Sequence, residues 1–309
     1  MSTLVLSHAD GLLHETPAGH PERPDRLRAV EAALAVDGFA ALLREEAPLC
    51  SDAAILRCHP ESHLAALVAA SPASGLSTID ADTVMSTGTL AAALRASGGA
   101  TAAVDAVFGS QARNAFVATR PPGHHAERTR AMGFCFFNSA AIAARHAQAV
   151  HGAGRVAIID WDVHHGNGTQ DIFWNDPSVL YVSSHEMPLY PGTGSPSERG
   201  AHDNIVNVPL RSGDGGEAFQ EALDAVILPR VNAFKPDLII ISAGFDAHFR
   251  DPLANLNFTE ADFANATREL MEIADRHCHG RIVSVLEGGY DLQGLGRSVA
   301  VHVAELMKG

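Results

Sequence analysis

The residues richest in potential chemistry are Asp160-Trp161-Asp162-Val163-His164-His165-Gly166-Asn167-Gly168. They follow the apolar run Val156-Ala157-Ile158-Ile159. Its β-branched content and glycine-rich end read as a buried parallel strand leaving a sheet. Side chains alternate faces along a strand, so Asp160, Asp162 and His164 point the same way at its C-terminal end. Two carboxylates and an imidazole there have one economical explanation, a divalent metal. The plainer alternative is a hydrogen-bonded polar turn. Buried charges without a counter-ion cost several kcal/mol each, which favours the metal. Other strand-like runs also end in reactive residues: one before His124-His125, one in Asp246, and one in Gly288-Gly289-Tyr290. Any of these alone is more often structural. The carboxyl ends of strands in an open α/β sheet form one shared crevice, which argues for reading them together.

Elements that could position these groups alternate along the chain. Strands are expected at 4–7, 114–119, 156–159, 179–183, 204–208, 238–242 and 282–286. Helices are expected at 25–35, 60–70, 87–108, 138–150, 168–174, 217–234, from a Thr259 cap to Arg276, and finally up to Leu306. Ser51 caps a further short helix reaching Cys58. Strand–helix alternation predicts parallel pairing with helices on both faces. With no repeat, linker or break in composition, the 309 residues read as a single α/β domain spanning 1–309.

Composition narrows the function. A formal charge of −14, with no Lys/Arg-rich run, argues against a nucleic-acid groove. It favours cationic substrates weakly, through long-range steering. Cys50, Cys58, Cys135 and Cys278 form no CxxC pair, so free thiols in a reducing cytosol are expected. The start of the chain lacks a basic n-region, and no apolar run approaches membrane-spanning length. A cytoplasmic protein is therefore expected.

The ordered blocks Arg120-Pro-Pro-Gly-His-His-Ala126, Gly133-Phe-Cys-Phe-Phe-Asn138, Asp160-Trp-Asp-Val-His-His-Gly-Asn-Gly-Thr-Gln170, Tyr190-Pro-Gly-Thr-Gly194, Gly244-Phe-Asp246 and Glu287-Gly-Gly-Tyr290 resemble the signatures of the zinc-dependent histone deacetylase superfamily. That superfamily includes class II histone deacetylases, bacterial deacetylase-like amidohydrolases, acetylpolyamine amidohydrolases and acetoin-utilisation proteins. The resemblance runs from about His20 to Tyr290. It implies the arginase–deacetylase α/β fold, a mostly parallel sheet of about eight strands.

Position by position, the resemblance implies zinc ligands at Asp162, His164 and Asp246. It makes His125 the general base and then the acid, with His124 its electrostatic partner, held by Asp160. Tyr290 would donate to the substrate carbonyl and to the oxyanion, on a loop that Gly288 and Gly289 let approach closely. Asn167 stands where class I members have Asp; a neutral partner leaves the His125 pKa lower than a carboxylate would. Two carboxylates formally cancel Zn²⁺, so bound water is acidified less than at a three-histidine site and needs that base.

The acyl-lysine tunnel would be lined by Gly133, Phe134 and Tyr190, the last with a hydroxyl where many members have Phe. Leu253 matches the apolar rim residue of class II protein deacetylases, where polyamine-selective members can place Glu. Asp82 is aligned with the rim aspartate that binds substrate backbone, and Arg23 with an arginine of the internal acetate channel. Potassium is implied at Asp160, Asp162 and His164 together with Ser183 and Ser184.

The expected activity is zinc-dependent removal of an acetyl or related acyl group from an amine, foremost acetyl-lysine side chains. Acetylpolyamine or another small acyl amide is the alternative. A manganese ureohydrolase needs a second ligand set that Asn167 and the histidine pair do not supply. A non-catalytic binding protein has no use for every catalytic group. Oligomeric state leaves no mark on the sequence.

Overall fold

The computed structural model describes residues 2–309. Its first half runs β1 (Thr3–Ser7), α1 (Asp25–Leu34), β2 (Leu43–Glu46), α2 (Asp52–Ile55), α3 (Glu61–Ala70), β3 (Leu76–Thr78), β4 (Val84–Ser86), α4 (Thr89–Phe108), β5 (Asn114–Ala118) and α5 (Ser139–His151). The second runs β6 (Val156–Asp160), α6 (Asn167–Phe173), β7 (Val179–Glu186), β8 (Ile205–Leu210), α7 (Gly216–Ala222), α8 (Leu228–Phe234), β9 (Leu238–Ala243), α9 (Glu260–His277), β10 (Ile282–Leu286) and α10 (Leu292–Leu306).

Eight strands form one sheet in the order β2-β1-β5-β10-β9-β6-β7-β8. Every pairing in it is parallel, so the expected mostly parallel sheet is wholly so. β3 and β4 form a separate antiparallel ribbon. The central strands β5, β10, β9 and β6 are buried throughout, which explains their continuous apolar runs. One face of the sheet packs against α4 and α5, the other against α1, α9 and α10. On α9, Phe263, Ala266, Leu270, Ile273 and Ala274 make the buried stripe, and Thr259 and Asp262 close a capping box at its start. The four cysteines are free, as expected from the sequence, and the structure places all four in buried positions. No helix among the described residues is long and apolar enough to cross a membrane.

One expected helix is broken. Residues 217–234 divide at a π-helical turn, Leu223–Ile227, after which Pro229 stands in the first turn of α8. Proline supplies no backbone N–H, so the ladder is interrupted where it enters.

The sheet order fixes where chemistry can occur. β9 and β10 come late in the chain, yet they insert between β6 and β5. The segments after β5, β10, β9 and β6 therefore leave adjacent strand ends, and these segments carry His124-His125, Tyr290, Asp246 and Asp162-Val163-His164.

Candidate active site

The turn after β6 organises itself. Asp160 Oδ1 accepts from the Asp162 N–H at 3.1 Å, and Asp162 Oδ1 from the His164 N–H at 2.9 Å. Each carboxylate thus caps the backbone two residues on. From β9, Asp246 Oδ1 accepts the Val163 N–H at 2.8 Å, and from β10 the Gly288 N–H reaches Asp162 Oδ2 at 2.8 Å. A Cβ at Gly288 would lie 2.1 Å from Asp246 Oδ2, so only glycine fits this approach.

Asp162, His164 and Asp246 are buried and converge as a possible metal-binding trio. His164 Nδ1 lies 3.1 Å from Asp162 Oδ1 and 3.1 Å from Asp246 Oδ2. A single N–H cannot point well at both oxygens. Burial and the neighbouring Asp162 charge push the Asp246 carboxyl up from its usual range, as expected for crowded carboxylates without a counter-ion. A divalent cation resolves both problems, and an imidazole with two carboxylates is a donor set that suits zinc.

A second trio, Asp105 of α4 with His146 and His151 of α5, reads differently. Both imidazole Nε2 atoms lie 2.7 Å from one oxygen of an exposed aspartate. That is hydrogen-bond spacing, whereas tetrahedral ligands with bonds of about 2.0–2.1 Å stand about 3.3 Å apart.

His124 and His125 pack with ring centroids 4.0 Å apart. His124 Nδ1 donates to Asp160 Oδ2 at 3.0 Å, and the Tyr181 hydroxyl donates to the same oxygen at 2.9 Å. His125 Nδ1 donates to Asn167 Oδ1 at 2.8 Å. Burial opposes a charge on either ring. At His124 it is outweighed by Asp162, by Asp160 and by the Asp160 hydrogen bond, and the pKa is raised well above the usual value. At His125 burial is joined by repulsion from His124 and His164, and the pKa is lowered well below it.

The Tyr290 loop is held by groups to which the sequence reading assigned no role. Glu287 Oε2 accepts from the Gly123 and His124 N–H groups at 2.6 and 3.1 Å, tying β10 to the histidine pair. Asp251 Oδ2 accepts the Tyr290 N–H at 2.7 Å, while its Oδ1 accepts the Leu253 N–H at 3.0 Å. Burial, with the nearby charge of Asp246, pushes the Asp251 carboxyl up to about 7. Burial, reinforced by Asp246 and Asp162 against Arg26, keeps the Tyr290 phenol protonated as a donor.

The buried arginine behind this loop is Arg26, not Arg23. Arg26 Nε donates to Gly289 O at 2.6 Å, another guanidinium nitrogen donates to Glu287 O, and its charge lies 4.9 Å from the Tyr290 ring centroid. Arg23 is 47% exposed, with Asp25 at 3.6 Å, and cannot line an internal channel. The reason is helical phase. Arg26 stands on the inward face of α1 with Val30 and Leu34, whereas Arg23 precedes the helix.

A cavity of about 240 Å³ is lined by Asp82, His125, Gly133, Phe134, His164, Leu189, Tyr190, Leu253 and Tyr290. The structure thus brings the expected tunnel and rim residues to one cavity, and adds Leu189. Gly133, at φ +56°, lies where a Cβ would meet the His125 ring at 2.5 Å. Asp82 is fixed by the Thr83 hydroxyl, which donates to its Oδ1 at 2.9 Å and accepts the Phe134 N–H at 3.1 Å. Ser183 is the register partner of Asp160 across β6 and β7, and Ser184 is buried next to it.

Fold and site together define a hydrolase of the deacetylase or amidohydrolase class. The chain belongs to the histone deacetylase family: residues 20–306 match the family profile described as the histone deacetylase domain. It is 42% identical over 302 residues to a probable deacetylase of Archaeoglobus fulgidus, covering 95% of this chain and 83% of that one. It is 42% identical over 279 residues to the histone deacetylase-like amidohydrolase of Pseudomonas aeruginosa, covering 88% and 73% of the respective chains. The crystal structure of the HDA15 HD domain superposes with a TM-score of 0.94 at 40% identity, covering 100% of this chain and 89% of that one.

Proposed function

We propose that this protein is a zinc-dependent deacetylase that hydrolyses N-acyl amines, foremost acetyl-lysine side chains. The observation that carries this reading is the convergence of His125, His164 and Tyr290 on one cavity of about 240 Å³ with an apolar rim. Asp162, His164 and Asp246 would hold the metal. When bound, zinc supplies electrophilic activation of the amide carbonyl and of the attacking water.

The chain's own groups do the rest. His125, kept neutral by its surroundings, takes a proton from the attacking water on Nε2 and returns it to the leaving amine. His124, held by Asp160, carries the positive charge beside it. The Tyr290 hydroxyl donates to the carbonyl oxygen as it gains charge, an interaction of the kind worth about 3–4 kcal/mol. Phe134 and Tyr190 flank the acyl-bearing chain. Acetate and the free amine leave. Asp160, Asp162, His164, Ser183 and Ser184 are the proposed surroundings of a structural potassium ion.

Leu253 at the rim favours an acetyl-lysine peptide, because an apolar side chain offers nothing to a second ammonium. The test compares kcat/KM of zinc-loaded protein on an acetyl-lysine peptide with that on N-acetylputrescine and N-acetylspermidine. A peptide preference of about tenfold, or about 1.4 kcal/mol in transition-state binding, supports the reading. The reverse preference assigns the site to polyamines, with Asp82 as the candidate ammonium partner.

A further inference from the structure

Asn167 has a second partner besides His125. Its Nδ2 donates to Glu127 Oε1 at 2.8 Å and faces Met132 Sδ at 3.4 Å. Both neighbours of that nitrogen are acceptors, and a carboxylate offers nothing else. The amide must therefore turn its NH₂ toward Glu127 and its oxygen toward His125. An oxygen facing His125 Nδ1 at 2.8 Å requires the proton on Nδ1, which leaves the lone pair on Nε2. With the amide reversed, its NH₂ would face Nδ1, the proton would move to Nε2, and the ring could no longer accept from water there. The tautomer of the base is thus decided two groups away, by a side chain outside the substrate cavity. Glu127 is half-buried and borders a separate cavity of about 210 Å³ with Asn167, Gln170 and Trp174.

We infer that Glu127 is a positioning residue that sets the His125 tautomer by fixing the orientation of the Asn167 amide. The inference rests on His125 being the base, as proposed above. It also explains why a neutral residue suffices beside that base: the carboxylate stands one amide further out.

The test uses the zinc-loaded protein and the variants E127A, E127Q, N167A and E127A/N167A. The turn that carries Glu127 is held by backbone bonds to Arg130, so E127A keeps its local frame. In E127A, kcat on an acetyl-lysine peptide is expected to fall about tenfold to a hundredfold, with KM changed less than about twofold. E127Q still offers an acceptor and should recover most of the loss. The double variant should be no slower than N167A, because Glu127 acts only through the amide. Losses that multiply in the double variant, or E127Q as slow as E127A, would overturn the inference.

A second readout needs no turnover. In protein with ¹⁵N-labelled histidine rings, the His125 signals, assigned by their absence in His125→Ala, report which nitrogen is protonated. Nδ1–H in the wild type, with Nε2–H appearing in E127A, is expected; unchanged Nδ1–H in E127A overturns the inference. If the wild type fails to hydrolyse acyl amines, the proposed function falls, while this measurement still decides the role of Glu127.

Discussion

His124 and His125 are neighbours in sequence, and their rings are 4.0 Å apart. Behind them the molecule differs. His124 backs onto a buried carboxylate, Asp160, which also receives the Tyr181 hydroxyl. His125 backs onto a neutral amide, with its carboxylate, Glu127, held at one remove. Two unit charges at such a distance repel by about 4 kcal/mol at an effective dielectric near 20. Only one ring therefore carries a proton's charge readily, and the partner decides which. The Asp160 side raises the proton affinity of His124, while the Asn167 side leaves that of His125 lowered. A dication at the trio would lower the proton affinity of both rings, but Asp160 keeps the order between them. Identical side chains thus acquire opposite proton affinities from what stands behind and around them.

The largest effect should come from removing the rings themselves. His125→Ala deletes the proposed proton carrier and should lower kcat by about 10²–10⁴-fold, whereas His124→Ala should cost clearly less. Steady-state kcat on an acetyl-lysine peptide decides it, and equal losses would erase the distinction.

Next is Asp160→Asn, which removes the charge behind His124. His124 has its pKa raised in the folded protein, so its charge is present at low pH and lost as pH rises through that value. The substitution lowers the value. The alkaline limb of kcat/KM should move to lower pH, with a loss of about tenfold from weakening a charged hydrogen bond.

The smallest change in rate should come from Asn167→Asp, which makes the His125 side resemble the His124 side. A carboxylate there raises the His125 pKa, and a base must be unprotonated, so the acid limb moves to higher pH. The adjacent Glu127 repels the new carboxylate and weakens the effect. Asn167→Asp combined with Glu127→Gln should shift the limb further than Asn167→Asp alone. Limbs that stay in place in both variants would contradict the assignment of His125.

Much of this arrangement was legible in the sequence. The apolar runs of β6, β9 and β10 announce buried strands, and period-two alternation places Asp160, Asp162 and His164 together. What escaped has physical reasons. β2 is an edge strand with all four residues exposed, so it carries no apolar pattern. The ribbon of β3 and β4 is too short to show periodicity. β7 continues to Glu186 because the buried polar residues His185 and Glu186 find partners in Ser183 and Asn255, and hydropathy cannot register that. Arg26 was open to detection, since its spacing to Val30 and Leu34 puts it on the inward face of α1. Glu127, Asp251 and Glu287 hydrogen-bond to backbone or amide partners distant in sequence, and spacing alone does not reveal them.

The central claim is that Asp162, His164 and Asp246 hold a zinc ion that serves the cavity beside them. The most direct measurement strips the protein with a chelator, adds zinc back stepwise, and follows bound metal and acetate release from an acetyl-lysine peptide together. The account predicts that activity returns in proportion to zinc and saturates at one ion per chain, and that Asp246→Asn recovers neither. Full activity in the stripped protein, or undiminished zinc binding and turnover in Asp246→Asn, would contradict it.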